Sequence, residues 1–186
     1  MNLAAPLQDH VIAEECRHGR IGPADSGKQE NAHARNARQG SKIDFDFSGL
    51  RWLMTKQVTP GGLFRPVGSK SFGDKRKPPR PFDQQPVEAT ATISACLAAW
   101  RADGDAAWKA GAARAFAWFL GENDLSAPLV DVETGSCRDG LHPDRANENR
   151  GGESVVSYLI GLAEIRQLAR ASGDRARLAS LQAVSA

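Results

Sequence analysis

Trp100-Arg101-Ala102-Asp103-Gly104-Asp105-Ala106-Ala107-Trp108 reads as one helix ending and another beginning. Gly104 supplies the left-handed conformation that stops the first helix, and Asp105 supplies an N-cap oxygen for the second. So short a connection folds two helices back on each other as an αα-hairpin. Upstream, Ile93, Leu97 and Trp100 repeat at helical spacing, with Val87, Ala91, Ala95 and Ala98 as a neighbouring stripe. Pro86 suits the first turn of that helix. Downstream, Trp108, Ala112, Ala115, Phe116 and Phe119 share one face, and Gly121 ends the run. The pattern predicts an all-α fold.

The same grammar returns further on. Val155, Leu159, Leu162 and Ile165 form one row and Val156, Ile160 and Ala163 another, in a helix beginning at Ser154. Ala169-Arg170-Ala171-Ser172-Gly173-Asp174 then repeats the glycine-aspartate junction, 69 residues after the first. A fifth helix is expected through Leu178 and Leu181. Repeated helical hairpins with polar loops at one end suggest a solenoid or toroid. Chance is the competing explanation, because Gly-Asp commonly joins helices.

Each long helix is entered through a polar stretch. Phe82-Asp83-Gln84-Gln85 leads into Pro86, and Cys137-Arg138-Asp139-Gly140-Leu141 through Asn147-Glu148-Asn149-Arg150-Gly151-Gly152-Glu153 leads into Ser154. Helix entrances leave backbone N–H groups unpaired. Carboxylates and amides gathered there match a ligand made of hydroxyl groups.

Composition sets bounds on these ideas. The 186 residues are enough for one domain with a real core, and 41% apolar with 25% charged residues is ordinary for a globular chain. A net charge of +2 gives no general argument for nucleic acid. No window is apolar enough for a membrane span, and Met1–Cys16 lacks the pattern of a secretory signal. Three scattered cysteines, Cys16, Cys96 and Cys137, suggest a reducing compartment, so a cytoplasmic location is expected. Residues 1–43 carry few aromatics and no sustained period, and are expected to form a disordered or weakly structured extension, with a turn of helix at Val11–Cys16. The folded domain is expected over residues 44–186. It opens with a short helix capped by Ser48 and carrying Leu50, Trp52, Leu53 and Met54, followed by a turn at Pro60-Gly61-Gly62.

Taken together, Leu50-Arg51-Trp52-Leu53-Met54, Phe64-Arg65-Pro66-Val67-Gly68-Ser69, Phe82-Asp83-Gln84-Gln85-Pro86, Cys137-Arg138-Asp139-Gly140-Leu141, and Asn147-Glu148-Asn149 with Gly152-Glu153-Ser154 resemble a bacterial α/α-toroid module. The module is the six-hairpin glycosidase-like region found beside glycosyltransferases of the GT-B type. The likeness covers roughly residues 47–169. It departs from the family pattern at Arg150 and at Gly151-Gly152-Glu153-Ser154-Val155, where such modules carry Gly-Ala-Glu-Ser-Thr. The resemblance implies an incomplete (α/α) toroid of about two to three hairpins, either a fragment or one completed by a second chain. It also implies a carbohydrate ligand and a glycosyltransferase as partner.

Glycoside hydrolysis needs two carboxylates across the bond that breaks. Asp83, Asp139 and Glu153 are the candidate catalytic acids. Glu153, in the first turn of its helix, suits a base or a hydroxyl acceptor, which leaves Asp83 or Asp139 as proton donor. Gln84, Gln85, Glu88, His142, Asn147 and Asn149 are the candidate sugar contacts. The plainer reading makes the same residues caps and loop ties. Trp100, Trp108, Trp118, Phe116 and Phe119 read as core, whereas Trp52, Phe64 or Phe82 lies nearer the loops and is a candidate sugar-stacking ring. Cys137, Asp139 and His142 lack metal-ligand spacing, so no metal and no cofactor is expected. Lys70, Lys75, Arg76, Lys77 and Arg80 form a basic Pro-rich loop. It reads first as a solvated surface loop, with nucleic-acid binding as the lesser alternative.

Overall fold

The computed structural model describes residues 46–69, 71 and 77–184. The expected extension over 1–43, its helical turn, Cys16, and Lys70, Lys75 and Arg76 of the basic loop lie outside the described residues. Among the described residues there are four α-helices: α1 (Ser48–Lys56), α2 (Pro86–Asp103), α3 (Ala106–Ala117) and α4 (Gly152–Val184). A 3-10 turn at Trp118–Leu120 extends α3. Among the described residues, β-type pairing is confined to isolated bridges. The fold is all-α.

The α2–α3 hairpin follows the local signals closely. Pro86 is the first residue of α2, and Gly104 closes it at φ 78° with its N–H bonded to Trp100 O. Asp105 caps α3 by accepting from Ala107 N. Arg51 of α1 braces this corner. Its guanidinium lies 2.9 Å from Asp105 Oδ2 and 4.3 Å over the Trp108 ring, whose Nε1 donates to Asp103.

Three expectations change. Ser48 is the first helical residue of α1 and not its cap. Phe47 holds the cap position without a side-chain bond, and Asp46, one residue earlier, accepts from both the backbone N and the Oγ of Ser48. The second glycine-aspartate junction does not break the chain, because α4 runs without interruption through Gly173 and Asp174 to Val184. The fifth helix is therefore the continuation of the fourth, and the side chains of Leu178 and Leu181 lie outside the described residues. Third, most of the second apolar row of each long helix faces outward, and Leu159 of the first α4 row does too. Val87, Ala91 and Ala98 of α2 and Val156, Leu159, Ile160 and Ala163 of α4 are exposed.

The core lies where α2, α3 and α4 meet. Ile93, Cys96 and Leu97 pack with Trp108, Ala112, Ala115 and Phe116, and with Tyr158, Leu162 and Ile165. Phe116 stacks on Tyr158 at 6.1 Å, and Trp118 meets Phe119 edge-on at 5.1 Å. Full burial of one such ring stabilises by roughly 1.5–3 kcal/mol, so this aromatic cluster outweighs any single polar tie. Trp108, Trp118, Phe116 and Phe119 are core residues as expected, and Trp100 packs against them partly buried.

Helices α2 and α4 run parallel. Thr90 Oγ1 donates to Ser157 O and, one turn on, Ser94 Oγ donates to Glu164 Oε2, both at 2.7 Å. Gly161 lets α4 approach closely, since a Cβ there would sit 3.1 Å from Ile93 Cδ1. Parallel packing puts the entrances of both helices at the same end of the domain. Among the described residues no helix is long and apolar enough to cross a membrane.

Candidate functional site

The two polar stretches meet at that shared end. Gln84 and Leu141 exchange both backbone hydrogen bonds, N to O and O to N, each 3.0 Å. The contact is tight enough to require glycine beside it. Gly140 has φ 142°, and a Cβ there would fall 2.0 Å from Gln84 O. One residue to either side of the bridge, Asp83 Oδ1 lies 2.9 Å from His142 Nδ1. Their side chains remain 44% and 33% exposed, so the pair stands at the surface of the loop cluster.

Asp139 sits against the entrance of α4. Its Oδ1 accepts from Gly151 N and Ser154 Oγ, both at 2.6 Å, and its own N–H donates to Asn149 O. Asn147 shapes the same loop: its Oδ1 accepts from Asn149 N, and its N–H donates to Gly140 O. Asn147 is half-buried and Asn149 exposed. These contacts are the loop ties that the plainer sequence reading anticipated. Glu153 lies in the first turn of α4, exposed, and its side chain makes no hydrogen bond or ion pair among the described residues.

Gln84 does not face the surface. It is 1% exposed, and its side chain is fully engaged. Nε2 donates to Pro81 O and Asp124 Oδ2, while Oε1 accepts from Trp118 Nε1 at 2.7 Å. Asp124 in turn holds Arg65, whose Nε donates to Oδ2 at 2.9 Å and whose Nη2 pairs with Oδ1. Burial pushes the Asp124 carboxyl up, but the hydrogen bonds from Arg65 and Gln84 and the Arg65 charge outweigh it and hold the group below its ordinary value. Asn123, also 1% exposed, satisfies four more groups: it donates to Trp118 O and Ala127 O and accepts from Leu125 N and Ala127 N. Sequence reading missed Arg65, Asn123 and Asp124 as partners of this end of the domain. Arg65 and Asp124 are joined to each other and to Gln84 across distant segments that no periodicity announces, whereas Asn123 ties only its own turn.

Gln85 is the exposed N-cap of α2. Glu88, one turn in, differs from the other acids. The Val67 backbone N–H donates to its carboxylate, while Oε2 is buried with no partner among the described residues. Burial pushes the carboxyl up to about 7, against the opposing pull of the Val67 bond. Cys96 and Cys137 are buried free thiols, pushed up by burial to about 11 and about 12. They are packing groups and not nucleophiles.

Of the rings near the loops, Phe64 is buried in the core and Phe82 packs partly against it. Trp52, on α1, is 46% exposed with Lys56 Nζ 5.8 Å over its ring. Among the described residues no group of three metal-ligating side chains comes together. No family model matches the chain, and no curated protein shows a significant match to it.

The geometry therefore sorts the candidates. Asp83 and His142 are brought together, and the entrances of α2 and α4 are joined. Asp139, Asn147 and Asn149 tie the α4 loop, Gln84 is a buried structural hub, and Glu153, Gln85 and the Asp83–His142 pair point outward from the same end. Such an end offers hydroxyl-matching donors and acceptors next to a two-loop junction.

Proposed function

We propose that this chain is a carbohydrate-active module, glycosidase-like in descent, whose glycan site is the loop junction at the entrances of α2 and α4. The observation that carries the reading is the reciprocal Gln84–Leu141 bridge. It brings two acid- and amide-rich loops, 59 residues apart at Asp83 and His142, onto one end of the domain. Asp83, Asp139 and Glu153 are the acids available for chemistry on a glycosidic bond. Gln85, Glu88, His142, Asn147 and Asn149 supply or support the hydroxyl contacts. No metal or cofactor enters this scheme. In this reading the module is cytoplasmic, belongs to an incomplete (α/α) toroid and works beside a glycosyltransferase.

A glycan array with the wild type and Glu153→Gln tests binding, with weaker signal expected for the variant. Hydrolysis of oligosaccharides that is abolished by Asp83→Asn or Asp139→Asn would establish catalysis. Absence of any saccharide binding at millimolar concentration removes the carbohydrate reading.

One observation favours a second reading, a non-catalytic helical scaffold. Val156, Leu159 and Ile160 present an apolar stripe on α4, each about half exposed. A second chain that completes the toroid would cover it. Light scattering at several concentrations checks this, with the Leu159→Lys, Ile160→Lys double variant expected to remain monomeric throughout.

A further inference from the structure

The contact between Asp83 and His142 has a direction. The carboxylate meets Nδ1 at 2.9 Å, and Nε2 makes no hydrogen bond among the described residues. An imidazole whose Nδ1 donates to a carboxylate carries its proton there and leaves Nε2 as a lone-pair acceptor. The backbone that carries the ring is held at two points. Its backbone N–H donates to Arg145 O, and the Gln84–Leu141 bridge fixes the adjoining residue. The nearest charges in its own turn neutralise each other, Arg145 Nη1 lying 2.9 Å from Asp144. At one-third exposure the ring is reachable by a small molecule yet anchored in orientation.

We propose that His142 is the proton acceptor of this end of the domain, and that Asp83 acts through it as a positioning residue. The proposal rests on the carbohydrate reading for its substrate class, a sugar hydroxyl or a water held beside one. In the step, the hydroxyl O–H bond breaks, its proton moves to Nε2, and the electron pair stays on the oxygen. The resulting imidazolium lies against the Asp83 carboxylate, which stabilises the charge. Asp83 is thereby reassigned from acid to the group that fixes tautomer and orientation.

The histidine itself can be tested without a ligand. Long-range nitrogen–proton correlation spectra of the full chain are expected to show His142 as the Nδ1–H tautomer when neutral. In Asp83→Ala it should revert toward the ordinary Nε2–H form. Diethyl pyrocarbonate should acylate His142 in the wild type and react several-fold more slowly in Asp83→Ala, with His10, His18 and His33 as internal references. A predominant Nε2–H tautomer in the wild type, or equal acylation rates, overturns the proposal.

A second arm uses free mono- and disaccharides. His142→Asn keeps an amide at the Nδ1 position, able to bond Asp83, but has no atom at Nε2. His142→Gln places an amide oxygen near Nε2. A bound saccharide is expected to protect His142 from acylation, with affinity about tenfold weaker in His142→Asn and partly restored in His142→Gln. Equal affinity in wild type and His142→Asn overturns the proposal, because a merely structural histidine would be satisfied by asparagine. Failure of every saccharide, with the tautomer and acylation results intact, sinks the carbohydrate reading and leaves the dyad standing.

Discussion

At the residue scale, Gln84 separates architecture from recognition. It lies in a stretch rich in sugar-matching amides, yet three groups depend on its side chain: Pro81 O, Asp124 Oδ2 and Trp118 Nε1. Removing a buried partner costs the desolvation of every group left behind. Gln84→Ala is therefore expected to lose about 2–4 kcal/mol in chemical denaturation. Gln85→Ala, on an exposed cap whose side chain makes no capping bond, should stay within about 0.5 kcal/mol. If Gln84→Ala leaves stability unchanged, the buried network is not what holds this end. The neighbouring glutamines look alike in sequence, and only burial tells them apart. The signal that one would be structural was weak but present: Trp118 carries an indole N–H into a core and must find an acceptor. Which acceptor it would find was not readable, because 34 residues separate the pair.

At the element scale, two glycines in nearly identical settings behave differently. Gly104 breaks the helix with φ 78°, whereas Gly173 lies inside α4. Local chemistry at both sites is the same glycine followed by aspartate. Trp108 explains much of the difference. After Gly104 the chain can bury this indole, 0% exposed, against α2 and brace the turn with Arg51, so folding back is rewarded. The boundary signals at Pro86, Gly104, Asp105 and Gly121 were legible because packing agreed with them. At Gly173 the helix-favouring run of Ala, Arg and Leu carries the helix through, since a single interior glycine costs only about 1 kcal/mol. The apolar rows of α2 and α4 were legible as helical, but periodicity cannot say which row a neighbour covers: most of the second row of each is exposed, and so is Leu159 of the first α4 row. Opposite effects of alanine follow. Gly173→Ala should raise stability by about 0.5–1 kcal/mol and increase helical circular dichroism, because it removes glycine from a helix interior. Gly104→Ala should lower stability by about 1 kcal/mol, because a side chain is strained at positive φ. Destabilisation by Gly173→Ala would indicate a turn at that site.

At the scale of the whole molecule, the acids set how stability responds to pH. Asp124 is held below its ordinary value, so its contribution is present at neutral pH and is lost as pH falls through the acid range. Glu88 works the other way. Burial pushes it from an ordinary 4.5 to about 7, so the folded chain keeps a proton that the unfolded chain has released. Between those two values the folded state binds more protons, and stability falls as pH rises through the window and levels off above it. The full shift would correspond to over 3 kcal/mol, but Glu88 is only half-buried and solvent screens part of the cost, which leaves about 1–2 kcal/mol. The domain should therefore be most stable near about pH 5 and weaken toward about pH 8. Glu88→Gln removes the titrating proton while keeping an oxygen for the Val67 N–H. Unfolding free energies for this variant should be nearly flat between about pH 5 and about pH 8, and exceed wild type at the alkaline end by about 1–2 kcal/mol. A slope unchanged by the substitution would assign the pH response to another group. The tie between Val67 and Glu88 also joins the segment after α1 to the first turn of α2, so charging this one carboxyl strains the end of the domain where both polar loops are anchored.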